Sequence, residues 1–290
     1  MRFARSSYLN LASSDARIKF IYLCLDKKTF RILKRSDGRA VYVGKYSGSF
    51  GHAYALDLAM SLFDTNGFNI LSDTDVAIVS KDWDTFLVKL FQSSHIDLLG
   101  TQLEPIGGFS SGNSKFQQYK GKPSTTWLMF KPKFNPSGLS MLPQKDSNIE
   151  IRSAKQSRIY GLPIGYELVR DTGWQIPEFI FEHKIKFQVL DIVKPSDKSS
   201  IVLKGLGDYH DEFHLHGYPI LVHQRGSMNH IYRQDLHSKS FYDAIDRFLN
   251  YPNWSPKRNF MDTLSSISKR SVRNLKRIAK IILNSFSLRK

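Results

Sequence analysis

Residues 68–76 read Phe68-Asn69-Ile70-Leu71-Ser72-Asp73-Thr74-Asp75-Val76, a short apolar run that ends at two carboxylates spaced i and i+2. A run of this length after the turn signal Asn66-Gly67 predicts a buried strand. In an open α/β sheet, ligands gather beyond the carboxyl ends of strands, so acids at this point are placed for a site. Two carboxylates this close repel one another unless a cation sits between them. Mg²⁺ or Mn²⁺ takes one or two carboxylates and completes its shell with diphosphate oxygens. The competing reading is a solvated surface turn. The apolar segments before Asp73 and over residues 76–79 favour the site.

Working outward, residues 53–63 place Leu56, Ala59, Met60 and Phe63 on one helical face. A turn over residues 48–52 precedes that helix. Residues 17–26 are expected to form a buried strand and residues 40–43 a short second one. Downstream, Trp83, Phe86, Leu87 and Leu90 give residues 82–91 a helical period, followed by a strand over residues 96–100. Residues 105–122 are rich in Gly, Ser, Gln and Asn and suggest either an acceptor-site lid or a plain insertion. Strands are expected over 126–131, 187–193 and 218–223, helices over 171–183 and 241–249, and a polar loop over 201–211. Alternating strands and helices predict an α/β domain over residues 1–250 with a mostly parallel central sheet flanked by helices.

The stretch from Gly51-His52 through Asp73-Thr74-Asp75 to Val79 resembles the donor half of glycosyltransferases with the GT-A fold, of the family 2-like bacterial and viral kind. Three later pieces are similar to that family in order: Thr126 to Pro132 (TWLMFKP), Arg170 to Asp191, and Ile220 to Ser227 (ILVHQRGS). The resemblance covers about residues 43–233 and implies a Rossmann-like sheet, a nucleotide-sugar donor (UDP-sugar favoured) and a Mn²⁺ or Mg²⁺ ion. It implies that Asp75 is the principal metal ligand and that Asp73 serves metal or donor ribose. His223 would be a further ligand, Asp171 the general base of an inverting transfer, and His52 a donor-binding residue. Arg225 is a candidate donor-binding residue by its own chemistry, since a guanidinium binds diphosphate oxygens bidentately. Residues 1–16 differ from the family, because the strand expected there would need more apolar content than they hold.

Each candidate has a plainer alternative. Asp171 suits a helix N-cap, His223 a strand end, and Arg225 a surface ion pair. Trp127 and Trp174 could stack on sugars, but core packing is the default. His210, His214 and His216 with Asp208, Asp211 and Glu212 match no zinc spacing, so a polar loop near the site mouth is expected.

The net charge is +16, and residues 251–290 carry ten basic residues against the single acid Asp262. Within that segment Leu264, Ile267, Ser271, Leu275, Ile278, Ile282 and Phe286 alternate with Lys269, Arg273, Lys276 and Lys280 at helical spacing. A basic amphipathic helix of this kind suits an anionic membrane surface. The alternative is a helix packed on the domain with a solvated basic face. No run approaches the roughly 18 apolar residues needed to span a bilayer, and no signal segment is evident, so a cytoplasmic, peripherally membrane-associated protein is expected. The one cysteine, Cys24, is expected to be a buried thiol.

Two other functions compete. ILSDTDV also resembles the nucleophile motif of haloacid dehalogenase-type phosphatases, with Asp73 attacking phosphorus, but the later paired acids of that family are missing. Charge alone would suit a nucleic-acid-binding protein. The excess lies on one amphipathic helix without a recognised motif, so a glycan or lipid-linked acceptor is expected and nucleic acid is not.

Overall fold

The computed structural model describes residues 2–36, 39–44, 46–102, 116–144, 148–207, 210–224 and 234–249. The elements run α1 (Arg2–Asn10), β1 (Tyr22–Cys24), α2 (Lys27–Ser36), β2 (Ala40–Tyr42), α3 (Gly48–Ser61), β3 (Asn69–Ser72), β4 (Val76–Ile78) and α4 (Trp83–Ser94). Then follow β5 (Leu98–Gln102), β6 (Phe116–Gln117), β7 (Pro123–Phe130), β8 (Ile149–Glu150), α5 (Ala154–Tyr160), β9 (Glu167–Leu168) and α6 (Ile176–Glu182). The last are β10 (Phe187–Val193), β11 (His210–Leu215), β12 (Tyr218–Gln224) and α7 (Gln234–Leu249). The chain falls into two compact units, residues 1–229 and 230–290, and α7 is the described part of the second. The basic segment 251–290 and Arg225 lie outside the described residues.

The fold is mixed α/β, but the sheet corrects the expectation of mostly parallel strands. Seven strands pair in the order β3-β7-β5-β10-β11-β12-β4. Only β5 and β10 are parallel neighbours; the other five pairings are antiparallel. Residues 201–207 are irregular, as expected of a polar loop, but His210, Asp211, Glu212 and His214 beyond them lie on β11, which adds two of the five antiparallel pairings. His210–Leu215 is a strand with all six residues buried, and it turns directly into β12 through His216-Gly217. Both turn residues have positive φ, 50° and 82°, as a two-residue type I′ hairpin requires. A parallel sheet needs long crossovers, and a tight hairpin cannot supply one.

The two edge strands, β3 and β4, stand at opposite ends of the sheet order and yet are joined by Asp73, Thr74 and Asp75 alone. Four Cα–Cα steps span at most about 15 Å, so the sheet curves enough to bring the end of β3 and the start of β4 within that distance on either side of the Asp-x-Asp segment. Buried residues run along β4 and β5 without alternation, the pattern of strands covered on both faces. The main core joins Leu56 and Met60 of α3 to Leu71, Leu98, Leu128 and Phe130 of the sheet and to Ile176, Phe179 and Ile180 of α6. Ala59 and Phe63 pack against it, which bears out the helical face expected for α3. Each fully buried side chain of this kind contributes about 1.5–3 kcal/mol.

Other elements depart from expectation. Residues 48–52, read as a turn, form the opening of α3. Of residues 17–26 only Tyr22–Cys24 is a strand, paired in parallel with β2 outside the main sheet; Cys24 is buried as expected. In α4 the buried face is Trp83, Leu87 and Phe91, whereas Phe86 is exposed. Residues 2–10 form a helix where the family resemblance implied a strand. Ser7 Oγ accepts the Ile78 amide at 3.0 Å, so α1 satisfies a backbone donor on edge strand β4. Among the described residues, no helix is long and apolar enough to cross a membrane.

Candidate metal centre

The segment that carries the two acids is stitched to both sides of the bent sheet. The Asp73 amide donates to the Thr126 carbonyl of β7 at 3.0 Å, and the Gln224 amide of β12 donates to the Asp75 carbonyl at 3.1 Å. Tyr8 OH donates to Ser72 Oγ at 3.0 Å, and Ser72 Oγ donates to the Asp73 carbonyl at 3.0 Å. The backbone is thereby fixed before either carboxylate does anything.

Asp73, Asp75 and His223 each offer one ligand atom, and these atoms lie within 4.8 Å of one another. Donors on opposite sides of an ion with bonds of about 2.1 Å would be about 4.2 Å apart, so slight inward movement closes the set. Two carboxylates and an imidazole suit a small, fairly hard divalent ion such as Mn²⁺. His223 Nε2 is 3.5 Å from Asp75 Oδ1, and its Nδ1 is 3.6 Å from Asp211 Oδ2. Burial works to lower the pKa of this ring, but the flanking carboxylates of Asp211 and Asp75 outweigh it and push it up to about 9. The two acids thus favour a positive charge at this point, and a bound cation would take the place of the ring proton on the side of Asp75.

His52 reaches the same point from α3, with Nε2 3.0 Å from Asp73 Oδ1. Burial opposes its protonation, while the hydrogen bond to Asp73 and the charges of Asp73, Asp75 and Asp171 raise its pKa overall. Asp171 is therefore close enough to act on the same ring. It does not open a helix, however: α6 begins at Ile176 with Gln175 at its N-cap. Asp171 sits instead in a tight turn, where its Oδ1 accepts the Thr172 amide at 2.8 Å. Thr172 Oγ1 donates to the Ser49 carbonyl at 3.3 Å, which ties that turn to the start of α3. The structure accordingly brings Asp73, Asp75, His223, His52 and Asp171 into one region.

The two tryptophans are core residues. Trp127 is fully buried and its Nε1 donates to Tyr8 OH at 2.7 Å; Trp174 Nε1 donates to the Leu142 carbonyl at 3.1 Å. His210, Asp211, Glu212 and His214 of the expected polar loop lie on a buried strand and their side chains part company, while His216 is in the exposed turn and Asp208 lies outside the described residues. Asp211 meets His223 and Lys194. Glu212 meets His214 at 2.7 Å and the segment at Ser200–Leu203. Lys194, just past β10, is a site neighbour that the sequence reading passed over. The signal that could have exposed β11 is His216-Gly217, an X-Gly pair ahead of an apolar strand.

No model of a known protein family matches the chain, and no curated protein matches it.

Proposed function

We propose that the chain is a metal-dependent glycosyltransferase that moves a sugar from a nucleotide-sugar donor to a glycan or lipid-linked acceptor. The observation that carries this reading is the convergence of Asp73 and Asp75 with His223, about 150 residues further along the chain, with ligand atoms within 4.8 Å of one another. The reading rests on the site and not on the sheet, whose strands run mostly antiparallel. Asp75, Asp73 and His223 would hold Mn²⁺ or Mg²⁺, which when bound stabilises charge on the departing nucleoside diphosphate. His52 holds Asp73 in place. Asp171 takes the acceptor hydroxyl proton as general base, which implies inversion at the sugar carbon. Surface polysaccharide synthesis is the matching role. Residues 251–290 would place the enzyme on the inner face of an anionic membrane, within reach of a lipid-linked acceptor.

The test is donor hydrolysis with UDP-, GDP-, CMP- and dTDP-sugars, with and without Mn²⁺. Metal-stimulated hydrolysis of one donor that Asp75→Ala abolishes is the expected result; an unaffected rate in Asp75→Ala overturns the reading. A trapped aspartyl-phosphate at Asp73 would point to phosphatase chemistry instead. Removal of residues 263–290 is expected to weaken binding to anionic liposomes, and unchanged binding removes the membrane role.

A further inference from the structure

The strand order β10-β11-β12-β4 does more than build a sheet: it lays four charged side chains in a row. Lys194 follows β10, Asp211 is on β11, His223 on β12 and Asp75 immediately before β4. Asp211 and His223 are direct cross-strand partners, so their side chains share a face. Lys194 Nζ is 2.8 Å from Asp211 Oδ1. Asp211 Oδ2 is 3.6 Å from His223 Nδ1, and His223 Nε2 is 3.5 Å from Asp75 Oδ1. The row runs from a lysine at the back, through a carboxylate and an imidazole, to the acids of the candidate metal centre.

From this row we infer that Asp211, clamped by Lys194, is a positioning residue that orients His223 toward the cation. The inference rests on the metal-centre reading above. A histidine ligand presents one ring nitrogen to the metal, and the group facing its other nitrogen decides which one and in which tautomer. With the Asp211 carboxylate facing Nδ1, the Nδ1–H tautomer is favoured and the Nε2 lone pair is turned toward Asp73 and Asp75. Asp211 is 1% exposed. A buried carboxylate is costly, and a well-packed apolar pair would serve stability as well or better. Its placement between a lysine and a metal-facing imidazole is what a purely structural role leaves unexplained.

The test measures Mn²⁺ affinity by calorimetry for the full chain, Asp211→Asn, His223→Ala and the double variant, with Lys194→Met and the Lys194→Met/His223→Ala double beside them. Loss of an outer carboxylate typically lowers metal affinity about 10–100-fold, and that loss is expected for Asp211→Asn. Because Asp211 acts through the ring, the double variant should bind no more weakly than His223→Ala alone. A general loss of structure would not give that non-additivity. Lys194→Met should give a smaller loss of the same sign, again absent in the His223→Ala background, and it decides the matter should Asp211→Asn not fold. Wild-type affinity in Asp211→Asn, or losses that add in the double variant, overturn the inference and leave the metal centre standing. Failure of the wild type to bind Mn²⁺ overturns both.

Discussion

His52 Nε2 lies 3.0 Å from Asp73 Oδ1, and this contact divides the labour of the Asp-x-Asp pair. His52 engages its oxygen at hydrogen-bond distance and is not one of the candidate ligands, whereas the imidazole facing Asp75, His223, stands 3.5 Å away and is itself a candidate ligand. His52→Ala should therefore disturb the donor more than the metal. UDP-sugar binding is expected to weaken about tenfold, the worth of one charge-assisted hydrogen bond, with Mn²⁺ affinity changed by less than about threefold. Calorimetric titration of each ligand separates the two. A metal loss as large as that of Asp75→Ala would place Asp73, through His52, among the principal ligands.

Glu212 governs acid stability. Its carboxylate is fully buried and accepts from Ser200 Oγ at 2.5 Å, the Ile201 amide at 3.0 Å and the Leu203 amide at 2.6 Å, with His214 Nε2 at 2.7 Å. Burial alone would raise its pKa, but these partners outweigh burial and hold it at about 2, below its ordinary value of 4.5. A folded-state pKa below the unfolded one stabilises the fold above pH 4.5, and this contribution is lost as pH falls toward 2. The gap corresponds to on the order of 3 kcal/mol. Glu212→Gln is expected to lower stability by an amount of that order at pH 7 and to lie much closer to wild type at pH 3. Urea unfolding of both proteins at the two pH values measures it; an equal deficit at pH 3 and pH 7 would mean that the charge contributes nothing.

How much of this was legible in the chain follows from what each residue had to signal. Leu56, Ala59, Met60 and Phe63 announced the buried face of α3 because periodicity survives without knowledge of neighbours. Asp73 and Asp75 stand out as candidate ligands because they close an apolar run, whereas His223 joins them only through the family resemblance, since a histidine at a strand end is by itself unremarkable. His210–Leu215 was lost because His, Asp and Glu read as solvated, and only tertiary partners make such a strand worth burying. Without β11 the β11–β12 hairpin is hidden, and nothing in the local pattern of β3, β4, β5, β7 and β12 reports that they pair antiparallel. Asp171 was taken for a helix start because acids favour that position. The chain instead makes a tight turn there at Gly173, whose φ of 77° is open to few other residues.

That turn gives a further prediction. A Cβ added at Gly173 would lie 2.5 Å from Thr125 Cγ2 and 3.1 Å from Ile176 Cδ1, and the left-handed conformation itself costs a side chain about 1–2 kcal/mol. Gly138 has φ of 88° with nothing within 4 Å of such a Cβ, so Gly138→Ala pays the conformational cost alone. Gly173→Ala is expected to be the less stable of the two. It should also lose transfer activity beyond its stability loss, because the clash displaces the turn that holds Asp171. Melting temperatures and steady-state rates of the two variants make the comparison. Equal activity in both would detach Asp171 from the chemistry.

Tyr8 links the N-terminal helix to the site through its hydroxyl, which accepts from Trp127 Nε1 at 2.7 Å and donates to Ser72 Oγ at 3.0 Å. Burial pushes the Tyr8 pKa above its usual value, so the hydroxyl keeps its proton and the donation to Ser72 persists at any moderate pH. Tyr8→Phe strands the indole N–H of a fully buried Trp127, and an unpaired buried donor costs about 1–3 kcal/mol. Trp127→Phe removes that donor at the separate cost of a cavity. In the double variant neither partner is left wanting, so its destabilisation should fall short of the sum of the singles by about 1 kcal/mol or more. Urea midpoints of the four proteins give the coupling directly. Strict additivity would show that the Tyr8 hydroxyl and the Trp127 indole are not coupled, and that α1 is held by its other bonds, such as Trp83 Nε1 to the Tyr8 carbonyl.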